Sequence, residues 1–120
     1  MTFDERVKAL TAATSDQFTE RQMKFLVTVM LHSGVCMIRQ YCAFGKTAYG
    51  QAARAFFARL VSLDWATTYE TIDTGARIYH IQYRPLYEAI GEPDSRFRKP
   101  ASIGRAIERL MVLDHVCQPS

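Results

Sequence analysis

The order of elements between Thr19 and Tyr83 constrains this chain most. Thr19 and Gln22 stand at capping-box spacing, so that a hydroxyl and a side-chain amide satisfy backbone N–H groups at a helix start. Met23, Leu26, Val27, Met30 and Leu31 follow at helical spacing, and Ser33-Gly34 ends the helix with a glycine suited to a left-handed cap. Val35 to Met37 is short and apolar enough for a small strand. Ile38 to Phe44 makes the next helix, and Gly45-Lys46-Thr47 supplies a turn and an N-cap for the one after it, Gly50 to Leu63. On that helix Ala53, Phe56, Phe57, Leu60 and Val61 share a buried face, whereas Gln51, Arg54, Ala58 and Arg59 fall largely elsewhere.

Two β-prone stretches come next. Ala66 to Tyr69 leaves the helix after Asp64-Trp65, and Ala76 to Tyr83 alternates with Tyr79, Ile81 and Tyr83 on one face. Between them Asp73, Thr74 and Gly75 are turn formers, so the stretches pair as an antiparallel hairpin. A plain hairpin closing a small core explains the alternation equally well. The order helix, strand, helix, helix, strand, strand reads as a winged helix-turn-helix, which presents one helix to a DNA major groove and a hairpin to the neighbouring backbone. The expected fold class is α+β, mainly α, with extra N-terminal and C-terminal helices.

The flanks supply those additions. Asp4 caps a helix through about Ala13 with Phe3, Val7 and Leu10 as its stripe, and residues 1–16 form this helix and a linker. After the 19–83 core, residues 84–120 form a helical extension: a short helix at Pro85 to Ile90, a basic connector Arg96-Phe-Arg-Lys-Pro100, and a helix from about Ser102 to His115. Its stripe is Ile103, Ala106, Ile107, Leu110 and Leu113, rich enough to make an oligomer contact. With 120 residues, 48% of them hydrophobic and 22% charged, the chain is the size and composition of one folded domain. No run approaches the roughly 18 apolar residues of a membrane helix, and the N-terminus lacks a secretory pattern, so the expected location is cytoplasmic.

A net charge of +3 permits nucleic-acid binding without requiring it, and the placement of charge matters more. From Gln17 to Asp64 there are six Lys/Arg against two acids, with Lys46, Arg54 and Arg59 best placed to face DNA. Cys36, Cys42 and Cys117 form an odd set without a CxxC pair, which reads as reduced apolar filler and not as a disulfide framework or metal site. No nucleophile motif, zinc-protease motif, phosphate loop or carboxylate pair is present, so no enzyme and no cofactor are expected. His80 reads as a surface or edge residue of the hairpin.

The stretch from Glu20 to Tyr83, and above all Ala-Arg-Ala-Phe-Phe-Ala-Arg-Leu-Val-Ser-Leu-Asp-Trp-Ala, resembles winged helix-turn-helix regulators of the MarR kind. It is also similar to the N-terminal domain of replication-relaxation proteins of plasmids and integrative elements. The resemblance implies a DNA-binding homodimer with terminal helices at the interface. It carries over to Lys46, Thr47, Tyr49, Gln51, Arg54 and Arg59 for double-stranded DNA, and to Thr71, Thr74 and Arg77 for the wing. Two departures stand out: the hairpin tip Glu70-Thr-Ile-Asp-Thr-Gly75 carries two acids, and the connector from Glu92 to Lys99 lacks a counterpart. Two function classes follow, a DNA-binding regulator or mobile-element accessory factor and a winged protein-interaction module without DNA contact. No residue set singles out a small-molecule effector pocket.

Overall fold

Two threonines start the first two helices in the same way. In α1 (Phe3–Ala13) the Glu5 N–H donates to the Thr2 hydroxyl at 3.1 Å and the Thr2 N–H donates to the Glu5 carboxylate at 3.2 Å. Thr2, and not Asp4, is therefore the cap, because only Thr2 stands three residues ahead of an acid that reaches back to it. In α2 (Glu20–His32) Thr19 and Gln22 make the same reciprocal pair. Such a cap contributes about 1 kcal/mol.

A computed structural model describes residues 1–70 and 76–117, and within them the chain is α+β and mainly helical. After α2 come β1 (Val35–Cys36), α3 (Ile38–Gly45), α4 (Gln51–Ser62), β2 (Ala66–Glu70), β3 (Arg77–Ile81), α5 (Arg84–Ala89), a 3-10 turn at Arg96–Arg98 and α6 (Ile103–Cys117). α2 is the central helix: Phe25 to Val29 are buried without interruption, which is the pattern of a helix enclosed on all sides. Gly34 ends it at φ +74°, a conformation that favours glycine.

The strands form one antiparallel sheet in the order β1-β3-β2, with Val35 opposite His80 and Ala66 opposite Ile81. Strand pleating sends Tyr79 and Ile81 to one face and Ile78 and His80 to the other. On the front, Tyr79 lies 4.7 Å from the Phe57 ring, and Phe57 in turn meets Phe25, Tyr41 and Phe56 at 5.2–6.2 Å. This aromatic cluster fixes α4 against the sheet. On the back, Ile78 packs with Val35, Ala106 and Leu110, which docks α6.

Several expectations need correcting. Gly50, not a residue of the Gly45–Thr47 turn, is the N-cap of α4, since α4 begins only at Gln51 and Thr47 lies in the preceding loop. Val61 is exposed, because it sits about 100° round the helix from Leu60 and beyond the buried arc. Phe3 is exposed on the first turn of α1, and Val7 and Leu10 are the buried residues of that helix. Tyr83 is exposed as well: β3 stops at Ile81, and Tyr83 becomes the N-cap of α5 ahead of Pro85. α6 continues through Cys117, and Ile103 and Ile107 of its expected stripe face outward while Ala106, Leu110 and Leu113 are buried. Among the described residues no helix is long and apolar enough to cross a membrane.

Candidate nucleic-acid interface

α4 and the front of the hairpin enclose an open groove of about 880 Å³. Met37 and Arg39 come to it from the start of α3, Arg54, Ala58 and Val61 from α4, and Thr68 and Arg77 from the strands, with Tyr49 at one side. Among the described residues no Asp or Glu lines it.

Three arginines meet this groove in different states. Arg54 lies over the Tyr49 ring, 5.3 Å from its centroid, and forms no ion pair among the described residues. Arg77 pairs with Glu70 across the hairpin at 3.2 Å, and its pKa is raised by hydrogen bonding to Tyr79 and to Glu70. Arg39 grips Asp114 with both terminal nitrogens, at 2.8 and 3.2 Å. That pairing holds the Asp114 carboxyl below the usual range and raises Arg39 in turn. Both pairs are solvent-accessible and of small energetic worth, so a phosphate can compete for these guanidiniums.

Gln40 ties the start of α3 to α6. Its side-chain oxygen accepts from the Met37 N–H at 2.8 Å, and its amide nitrogen donates to the Leu110 carbonyl at 3.0 Å and to Asp114 at 2.9 Å. A buried amide whose groups all find partners locks α3 to α6.

The expected site residues divide. Tyr49, Arg54 and Arg77 come together in the groove. Lys46, Thr47 and Gln51 are exposed along the loop into α4 and at its first residue, beside the groove and not in its lining. Arg59 is turned away, because five residues along a helix are about 140° of rotation from Arg54. Its guanidinium donates to the Gln17 carbonyl at 3.1 Å and to the Gln17 side chain at 2.7 Å, and lies over Phe18 at 4.6 Å. Arg59 thus ties α4 to the α1–α2 linker, and a positive face running from Lys46 through Arg54 to Arg59 does not exist. Thr71 and Thr74 lie outside the described residues.

Arg39 was missed as a groove residue. Its place depends on β1 pairing with β3, which brings the start of α3 beside the hairpin, and no local spacing carries that information. The loop before α4 also departs from a simple glycine turn. Lys46 takes the left-handed conformation at φ +52°, while a side chain at Gly45 would stand 2.7 Å from the Arg21 stem.

His80 corrects another expectation, since it is buried and not a surface residue. Its Nε2–H donates to the Phe97 carbonyl at 2.8 Å, which leaves Nδ1 to accept from the Tyr69 hydroxyl at 3.4 Å. Burial pushes its pKa below the ordinary imidazole value, and the nearby Arg109 charge acts in the same direction. The cysteines are buried and free, and burial pushes the Cys117 thiol up to about 11. Among the described residues no group of three or more His, Cys, Asp or Glu is arranged to hold a metal ion. Comparison with protein-family models, with curated proteins and with solved structures found no match for this chain.

Proposed function

We propose that the chain is a DNA-binding protein of the winged helix-turn-helix kind, acting as a transcriptional regulator or mobile-element accessory factor. The observation that carries this reading is the groove between α4 and the hairpin, which is lined by Arg39, Arg54 and Arg77 and, among the described residues, by no Asp or Glu. Guanidiniums spaced along a groove suit a phosphate backbone, and Arg54, which has no carboxylate partner among the described residues, is the residue for base contact. Lys46, exposed in the loop between α3 and α4, adds a further positive charge ahead of that helix. The element order α2-β1-α3-α4-β2-β3 and the sheet order β1-β3-β2 support a winged arrangement. A homodimer in this reading uses the outward flank of α6, where Ile103 is 48% and Met111 65% exposed.

A second reading, a winged module that binds a protein, is favoured by one observation. Arg39 and Arg77 are already paired with Asp114 and Glu70, and the groove floor holds Met37 and Val61. Fluorescence anisotropy of labelled duplex DNA at two salt concentrations separates the readings. DNA binding predicts affinity that falls steeply with salt and is lost in the Lys46→Ala, Arg54→Ala double variant. Absence of binding at low salt by folded protein refutes it and favours the protein-binding module.

A further inference from the structure

A second concentration of arginines lies apart from the groove, where the back of the molecule is closed by α6 and the 3-10 turn. Arg96, Arg105 and Arg109, with His32, line an open cavity of about 530 Å³, where Glu108 is the one carboxylate among the described residues. The size falls within the range of small-molecule sites. Arg96 and Arg109 both lie on the Phe97 ring, at 5.0 and 5.2 Å from its centroid, so that ring holds two guanidiniums at the cavity wall.

These arginines share with Arg54 the lack of an acidic partner among the described residues. Arg6, Arg39, Arg77 and Arg84 each have an acid within ion-pair distance, whereas among the described residues Arg96, Arg105 and Arg109 have none. Arg109 also carries a guanidinium nitrogen, Nη1, that is closed to solvent and has no hydrogen-bond acceptor among the described residues. Being closed to solvent, that nitrogen is not itself a contact for a ligand, but its uncompensated charge adds positive potential behind the cavity wall. Three cations and, among the described residues, one acid, with an apolar wall of Phe97 and Val112, make the cavity complementary to an anion.

We infer that this cavity is a binding site for a small oxyanion ligand bearing at least two negative charges, a phosphate compound or a polycarboxylate. The turn that presents Phe97 is firmly seated, since a side chain at Gly34 would stand 2.5 Å from the Phe97 carbonyl oxygen. The Phe97 carbonyl accepts from His80 on β3, and His80 reaches Tyr69 on β2, so the cavity wall is joined to the hairpin by hydrogen bonds.

Isothermal titration of the full chain with inorganic pyrophosphate and, separately, with citrate tests the site without DNA present. The expected result is saturable one-to-one binding of at least one probe, and the tighter of the two identifies phosphate or carboxylate as the preferred source. Arg105→Ala, a change at an exposed position, should weaken that binding by about tenfold or more, and Arg109→Gln should do so as well. Arg54→Ala removes the same charge from the groove and should change it by no more than about twofold. Circular dichroism of each variant reports its fold. Failure of both probes to saturate the wild-type chain overturns the inference, as does binding that survives Arg105→Ala and is lost in Arg54→Ala. Because no nucleic acid enters the experiment, its failure is separate from a failure of the DNA-binding reading.

Discussion

The two faces of the small sheet are built for different purposes. On the front, Tyr79 and Ile81 join the aromatic core, and beyond them the surface opens into a groove whose polar groups are exposed arginines with rim partners. On the back, α6 and the turn at Phe97 close over Ile78 and His80, and both His80 ring nitrogens have partners within the fold. Exposed ion pairs can be broken by a ligand at little cost, whereas buried polar groups that lose a partner are strongly penalised. The polar groups of the front can therefore change partners at little cost, whereas those buried behind the sheet hold the architecture.

This contrast is sharpest where the aromatic core supports both faces. Phe57→Ala should cost about 3–5 kcal/mol in urea unfolding, because Phe57 is fully buried among four other rings. Gly34→Ala tests the back more narrowly: a left-handed φ and the approach of Phe97 should together cost about 2–4 kcal/mol by the same measurement. Gln40→Leu leaves the Met37 N–H and the Leu110 carbonyl without their partner and should cost about 1–3 kcal/mol. On the front the expectation reverses. Arg54→Ala should leave the unfolding midpoint nearly unchanged yet weaken specific duplex binding by about 1–3 kcal/mol, while Arg59→Ala, at the linker, should affect binding less. A large stability loss in Arg54→Ala would erase the distinction between the faces.

The smallest effect concerns pH. The His80 pKa lies below its unfolded value, so between the two the unfolded chain binds more protons and stability rises with pH. The contribution is complete above the ordinary imidazole pKa and is lost as pH falls below it. Urea midpoints measured on either side of that value should show a decline on acidification that His80→Gln reduces. Tyr69 and Arg109 are the groups facing this imidazole, and Arg109 adds to the penalty for protonating it.

Much of the helical frame was legible in local pattern. Thr19 with Gln22, the run from Met23 to Met30, and Ala53, Phe56, Phe57 and Leu60 each announce a helix and its buried face within a few residues. What escaped depended on distant neighbours. His80 is buried because the turn at Phe97, seventeen residues on, covers it. Arg39 reaches the groove through strand pairing, and Arg59 leaves the site because Gln17, forty-two residues earlier, receives it. Equal spacing on a helix cannot distinguish an arginine facing solvent from one bound to a linker. Charge counting therefore pointed to α4, which lines the groove, but counted with it Arg59, which the linker holds elsewhere.

Position 46 has an implication for selection. A lysine in the left-handed region costs roughly 1 kcal/mol that glycine would avoid, while a side chain at the preceding glycine would meet only the exposed Arg21 stem, which can move aside. Directed evolution toward heat resistance should therefore favour Lys46→Gly, relaxing the bend before α4. Selection for duplex affinity should retain lysine, whose amine would be lost and whose loop would gain freedom of heading in that exchange. The same residue would drift in opposite directions under the two regimes, and the direction taken would reveal which demand had shaped the chain.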